Sequence, residues 1–321
     1  MSLLLATLAI GLVFAVLALG IYLSFRVYRI PDITADGSFP LGAAIAARLL
    51  KDGFDPISAT AAGVAGGALA GMVTGFVHVR FKVNPILAGI LTMTALYSVN
   101  LRVMGASNLP ITASTLFTPF ERGAEQLLGE EVLLLGRAVP AADVGLFVAC
   151  AILATIAAVA LVLFLKTELG AAMRATGDNA RMLRALGTST DRMTVLGLAL
   201  SNALVALSGA MFAQMQAFAD AQMGIGVIVL GLASVILGQT LVGPVRSIPL
   251  AVAGAVMGAV LFRLLVAIAI RMGLDANDLK LVTAVVVLVA IVGPDWIKET
   301  GRRRLARFAR TPAAGGADAA A

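Results

Sequence analysis

From Leu3 to Phe25 no side chain is charged, and Arg26 and Arg29 close the run. A bilayer core is crossed by about 20 apolar residues in helical form, so this segment commits the chain to a membrane helix. A cleaved signal has an apolar core of about 7–15 residues with its charge in front; here the run is longer and the charge follows. Similar runs recur at roughly 57 to 77, 84 to 103, 143 to 165, 193 to 216, 225 to 243, 248 to 270 and 279 to 297. Composition agrees: 60% of residues are hydrophobic, 13% are charged and the mean hydropathy is +0.98. Soluble domains carry about 45–50% and about 25% respectively. The predicted fold class is all-α, a polytopic membrane helical bundle of about 8–10 crossings. The 321 residues leave no length for an added soluble catalytic domain.

After the first run comes a polar break, RIPDITADGSFP, then an apolar stretch from Leu41 to Leu50. That stretch is too short to cross alone as a straight helix, which predicts a broken or re-entrant element. Counting it gives nine crossings, with the amino terminus outside and the carboxyl terminus cytoplasmic. The distribution of Lys and Arg tests this layout, since cations concentrate on the inner side. Sixteen of the 24 fall there, among them Arg80, Lys82, Lys166, Arg192 and the cluster from Lys298 to Arg310. The layout is one transmembrane domain over 1–297, with an inner loop at 166–192 and an outer loop at 104–142. A basic, small-residue tail at 298–321 reads as disordered. Small residues repeat in AAGVAGGALAGMVTG (61–75) and AVAGAVMGAV (251–260), a spacing that lets helices approach closely in lipid, within the bundle or between copies.

Several chemistries are excluded. Cys150 is the sole cysteine and His78 the sole histidine, so disulfide, zinc and haem sites lack ligands. The net charge of +6 lies between apolar runs, where it encodes topology rather than nucleic-acid binding. No Gly-Lys dipeptide occurs, so a phosphate-binding Walker loop is absent from this chain. An intramembrane hydrolase would have only Asp32 with Asp36 to work with. An ion-gradient carrier would call for charge pairs in mid-span, and the central segments contain almost none.

The inner segment KTELGAAMRATGDNARMLRALGTSTDR is unusual for a connector. At 100° per residue, Leu169, Ala172, Met173, Thr176, Ala180 and Leu183 share one face, opposite Arg174, Asp178 and Arg181. This predicts an amphipathic helix, divided at Gly177 and closed at Gly187 by a left-handed cap. Two readings fit: a helix lying in anionic lipid headgroups, or a docking helix for a cytoplasmic protein.

Polar groups within the spans are the candidates for a solute path, because they are costly unless they face a cavity or another helix. They are Asp32, Asp36, Asn84, Thr92, Thr94, Ser98, Asn100, Asn202, Gln214, Gln216 and Gln239. Asp32 and Asp36 read equally as turn and cap residues. Phe39, Phe76 and Tyr97 serve either packing or aromatic stacking. Arg263, Arg271 and Lys280 are expected to snorkel at span ends, and Trp296 to anchor an interface. Outside, Glu121, Glu125, Glu130 and Glu131 lie on an acidic amphipathic piece.

ELGAAMRATGDNARMLRALG, the Ser-Thr-Asp-Arg turn after it and TVLGLALSNALVALSGAM together resemble the cytoplasmic coupling loop of ATP-binding cassette importer permeases of the branched-chain amino acid and simple-sugar type. DITADGSFPLGAA and SVILGQTLVGPVRSIPLAVAGAVMGAVL are similar to further segments of the same permeases. DGSFPLGAA with NPILAGILTMTALYSVNLRVMG resembles a subgroup in which some members are linked to tryptophan or tyrosine uptake. The resemblance implies a type II-like importer fold in a bacterial inner membrane. It implies a second permease copy, cytoplasmic ATPase subunits that bind the ATP, an extracytoplasmic solute-binding protein, and no cofactor in this chain. The coupling role carries over to Glu168, Gly170, Arg174, Ala175, Asn179, Arg181, Leu186 and Gly187. An ion-gradient-driven transporter of a small metabolite is the alternative.

Overall fold

The computed structural model describes residues 2–134, 137–243 and 247–272, and isolated positions at 281, 284, 285 and 288. Apart from those four positions, the expected crossing at 279–297 lies outside the described residues, as do the tail at 298–321, Lys280 and Trp296. In chain order the elements are α1 (Ser2–Ile21), a π-helical turn (Tyr22–Val27), α2 (Ala35–Lys51), α3 (Pro56–Phe81) and α4 (Pro85–Met104). Then come β1 (Asn108–Pro110), α5 (Thr118–Leu128), β2 (Glu131–Leu134), β3 (Arg137–Pro140), α6 (Ala141–Lys166) and α7 (Glu168–Ala185). The last are α8 (Thr190–Gln216), β4 (Phe218–Asp220), α9 (Val227–Val242) and α10 (Ile248–Arg271). Among the described residues six helices, α1, α3, α4, α6, α8 and α10, are long and apolar enough to cross a membrane; α9 is apolar but shorter. The class is all-α and polytopic, as expected.

Helix limits follow local chemistry. Asp55 and Asn84 cap α3 and α4 through the amides of Ile57 and Ile86, each followed by a proline at the first helical position. Residues in the left-handed region, Lys82, Gly105 and Ala217, stop α3, α4 and α8. The connection between α4 and α6 holds short strands that the hydropathy pattern did not reveal. β1 pairs antiparallel with the distant β4, Leu109 opposite Ala219, and β2 pairs with β3.

The break is shorter than expected. Helix α2 begins at Ala35, before Asp36 and Gly37, and its 17 residues span about 26 Å at 1.5 Å per residue. Pro40 lies inside it and cannot donate to the Asp36 carbonyl. Gly224 sits against that carbonyl, where a Cβ would collide.

Helices α1 and α8 form the centre. Val13 and Ala15 to Leu19 are fully buried, so α1 is apolar all round because it is enclosed all round, by α6, α8, α9 and α10. Helix α8 packs against α1, α2 and α3. Small residues set these distances: a Cβ on Gly67 would meet the Asn202 carbonyl, and one on Gly71 the Leu198 carbonyl. Gly238 and Gly258 do the same between α9 and α10. Both glycine-rich stretches therefore pack inside the bundle. Helix α6 is peripheral, with Val148, Ile152, Ile156, Val159 and Leu163 exposed along one stripe.

Arg263 departs from its expected position at a span end. It lies with its guanidinium 5.9 Å from the centre of the Phe14 ring, a distance suited to a cation–π contact. Phe14 in turn packs with Phe39 and Phe212.

Gly71→Val forces the α3 and α8 backbones apart and is expected to cost about 1–3 kcal/mol. Gly123→Ala, in α5 with open space around it, should be neutral or stabilising by about 0.5–1 kcal/mol. Thermal unfolding of the purified protein checks both.

Candidate functional site

The segment from 166 to 192 is built around α7. Thr167 starts it by accepting from the Gly170 amide at 3.2 Å. The helix is interrupted at Asn179, not at Gly177: Asn179 has φ −153° and ψ 85°, and its side-chain oxygen accepts from the Met182 amide at 3.0 Å. Asn179 thus caps a second short helix, a signal readable as Asn in Asp-Asn-Ala. Gly187, at φ +83°, closes it as expected, with Thr188 N donating to Leu183 O at 3.2 Å and Gly187 N to Arg184 O at 3.0 Å.

Gly177 has another task. It lies against the Val27 carbonyl, so closely that a Cβ could not be accommodated. Next to it, Asp178 accepts from Arg29 at 2.8 Å. Arg29 itself is in the left-handed region, φ +57°, where the chain turns from the π-helical turn into the break. Tyr28 donates to the Met193 carbonyl of α8 at 2.8 Å, and Gly197 makes room for its ring. Hence α7 is keyed to residues 27–29 and to the start of α8.

The faces of α7 divide nearly as the periodicity predicts. Gly170, Met173, Thr176 and Leu183 are buried, whereas Glu168, Asn179, Arg181, Leu186 and Gly187 are exposed. Arg174 and Ala175 lie between. Leu169 is a correction: at 51% exposure it faces away from the bundle, with Met182 and Leu186. These three apolar side chains project among Arg181 and Arg184 from a surface that is otherwise charged.

Three residues beyond Arg29, the break is held in the middle of the bundle. Asp32, 4% exposed, accepts from the Thr34 amide at 3.0 Å and from Asn202 of α8 at 2.6 Å. Thr34 bonds Thr74 of α3 at 2.7 Å. Asp36 does not cap its own helix; it accepts from the amides of Gly226 and Ile228 and so caps α9. Asn100 of α4 donates to the Gly37 carbonyl at 3.3 Å. Buried Ser38 Oγ, Asn100 Oδ1 and Asn202 Oδ1 have no protein partner among the described residues. All three lie on or against α2, so unspent hydrogen-bonding capacity gathers around the break.

The other candidates scatter. Asn84 is exposed at the start of α4, where it caps the helix instead of facing a path. Thr92 is buried and bonds its own helix at Ala88. Thr94 and Ser98 face outward, and Gln239 is half-buried near the end of α9. Gln214 joins Leu116 to Thr60, and Gln216 turns to the Phe218 carbonyl. Phe39 is fully buried, while Phe76 and Tyr97 are exposed. His78 locks the α3–α4 turn through Val83 O at 2.7 Å. No cluster of three or more metal-ligating side chains occurs among the described residues.

Half-buried Glu121 of α5 differs from its exposed neighbour Glu125 and from exposed Glu130 and Glu131 beyond the helix. Burial pushes its carboxyl up from the ordinary range, and Glu125 and Asp143 add to the effect. The folded state therefore favours protonated Glu121. Its contribution is full in acid and is lost as pH rises through the raised pKa. Glu121→Gln should flatten that part of the Tm-against-pH curve.

Replacing Asn202 by Leu removes the Asp32 partner and leaves a buried acceptor unpaired, an expected loss of about 1–3 kcal/mol. The midpoint of thermal unfolding relative to the parent protein measures it.

The family model for the permease component of branched-chain amino acid transport systems matches residues 3–292. The chain is 38% identical over 278 residues to a tyrosine transport system permease protein of Clostridioides difficile (strain R20291), covering 87% of this chain and 86% of that one. It is 31% identical over 295 residues to an uncharacterized protein of Rickettsia prowazekii (strain Madrid E), covering 91% and 97%. An autoinducer 2 import system permease protein of Yersinia enterocolitica is 28% identical over 155 residues, 46% of this chain and 42% of that one. No solved structure matches. With its apolar helices and near full-length match, the chain belongs to the branched-chain amino acid transport system permeases, the membrane-spanning subunits of ATP-binding cassette importers.

Proposed function

We propose that this chain forms half of a translocation path for a small solute, an amino acid and in particular an aromatic one, and that α7 receives the stroke of an ATPase subunit on the cytoplasmic side. The observation that carries the coupling reading is the keying of α7 to residues 27–29 by Gly177 and by the Arg29–Asp178 pair. A displacement of α7 is passed to Val27–Arg29, whose next turn of chain holds Asp32 against Asn202. Coupling through such contacts requires contiguous groups with two arrangements, and the strained turn at Arg29 together with the π-helical turn supplies a place for the second.

On this reading Leu169, Met182 and Leu186 enter a groove on the ATPase. Glu168, Arg174 and Arg181 provide charge complementarity, Asn179 and Gly187 shape the two helices, and Gly170 and Ala175 keep α7 close to the bundle. Ser38, Asn100 and Asn202, with Asp32 held by Asn202, are the polar groups that face a moving solute, because among the described residues the first three are those with buried side-chain atoms that lack a hydrogen-bond partner. Two copies complete the path, a solute-binding protein delivers to the opposite end, and the amino terminus lies outside with the carboxyl terminus cytoplasmic. The aromatic assignment is supported by the relative named as a tyrosine transport system permease.

The test is uptake of radiolabelled L-tyrosine in cells expressing the chain with its ATPase and binding protein. Arg174→Glu with Arg181→Glu should abolish ATP-driven uptake at unchanged membrane level, and Gly177→Val should do the same by lifting α7 off Val27. Undiminished uptake in both would leave α7 as a lipid-surface helix.

A further inference from the structure

A cavity of about 980 Å³ lies at the end of the bundle opposite α7, between α3 and α6, floored by α8 and roofed by the 114–122 segment. Its volume falls in the range of small-molecule pockets, about 300–1,000 Å³. None of the polar residues assigned above to the solute path lines it.

The walls are apolar: Ile57 and Val64 from α3, Ile152 and Ile156 from α6, Leu207 and Met211 from α8. Phe120, 40% exposed, adds an aromatic ring. Thr60, Ser114, Thr115 and Thr118 add hydroxyls, and two opposite charges, Asp55 and Arg122, also line it. Asp55 uses Oδ2 to cap α3, and its Oδ1 makes no hydrogen bond among the described residues. Arg122 is exposed and forms no ion pair among the described residues.

The cavity is built, not a gap between loosely placed helices. Gln214, 3% exposed, accepts from the Leu116 amide at 3.0 Å and donates to Thr60 at 2.8 Å. One buried side chain thereby ties roof, wall and floor together. Gly145 seats the start of α6 directly on the Phe120 carbonyl, fixing α5 to the second wall.

We infer that this cavity is a binding site for a zwitterionic α-amino acid with a large apolar or aromatic side chain. The carboxylate pairs with Arg122, the ammonium with the free oxygen of Asp55, and the side chain enters the chamber between α3 and α6. An apolar chamber carrying a few placed polar groups recognises such a ligand by orienting its charged end, and an Arg–carboxylate pair supplies the strongest of these contacts. The inference rests on the amino-acid reading above and adds a site on the permease itself, apart from any binding protein.

The test is equilibrium binding of tritiated L-tyrosine to the full chain in lipid nanodiscs with its ATPase and without binding protein, beside uptake in cells carrying the complete importer. Saturable binding is expected. Arg122→Ala, and Asp55→Asn, which keeps the helix cap, should each weaken it roughly tenfold, the scale of one charge-assisted hydrogen bond. Tyramine, which lacks the carboxylate, should compete equally well against the parent protein and Arg122→Ala. Ile156→Trp fills the chamber and should abolish binding, whereas Val159→Trp on the same exposed stripe should leave it unchanged. If L-tyrosine, L-phenylalanine and L-tryptophan all fail to bind while uptake persists, the cavity assignment is overturned and the transport reading stands. If the parent importer takes up none of them, both fall. Binding indifferent to Ile156→Trp, with phospholipid displaced by it, would identify the cavity as a lipid crevice and overturn the proposal.

Discussion

The approach of α2 and α3 onto α8, backbone against backbone, is the contact on which the rest of the bundle depends. In lipid, apolar side chains gain little by leaving hydrocarbon for protein, so helices associate through close packing and hydrogen bonds between them. Gly63, Gly67, Gly71 and Gly75 recur every fourth position on α3, and each faces a neighbouring helix at a distance that excludes a Cβ. With α3 and α8 in contact, the level of Asn202 is fixed, and with it the place where Asp32 can find a donor. The same register brings Thr74 to Thr34 and Gln214 to Thr60.

The break between α1 and α2 illustrates a second constraint. Non-helical backbone at membrane depth survives only where protein satisfies its polar groups. Here the Thr34 amide goes to Asp32, the amides at the start of α9 go to Asp36, and the Gly37 carbonyl goes to Asn100. The two aspartates are thus structural partners of other segments. The groups without partners among the described residues, on Ser38, Asn100 and Asn202, surround the same break, so rigidity and unsatisfied polarity occupy one place. The contacts of Val27, Tyr28 and Arg29 connect that place to α7.

Much of this was legible beforehand because the signals are local. Apolar runs marked seven helices to within a few residues, since hydrocarbon tolerates little else. The glycine spacing marked helix faces, and the alternation along 168–187 marked an amphipathic element with the correct closing residue. The misses share a cause. Asn179, not Gly177, interrupts α7, because Asn offers a capping oxygen while Gly177 is required by the Val27 carbonyl, a residue far away in sequence. Leu169 turned outward because Gly170, next to it, must sit on the Phe164 carbonyl. Asn84 looked like a polar group inside a span, yet with Pro85 behind it a cap was the cheaper use.

The sequence by itself determined that this chain crosses a membrane many times, that it contains no Gly-Lys dipeptide for a Walker loop, and that the segment from 168 to 187 is amphipathic, since each follows from side-chain solubility and short-range spacing. The tertiary structure alone decided which polar groups meet. Asp32 with Asn202 and Arg29 with Asp178 are pairs separated by long stretches of chain, and no local preference encodes a contact whose geometry is set by how closely the helices between them pack.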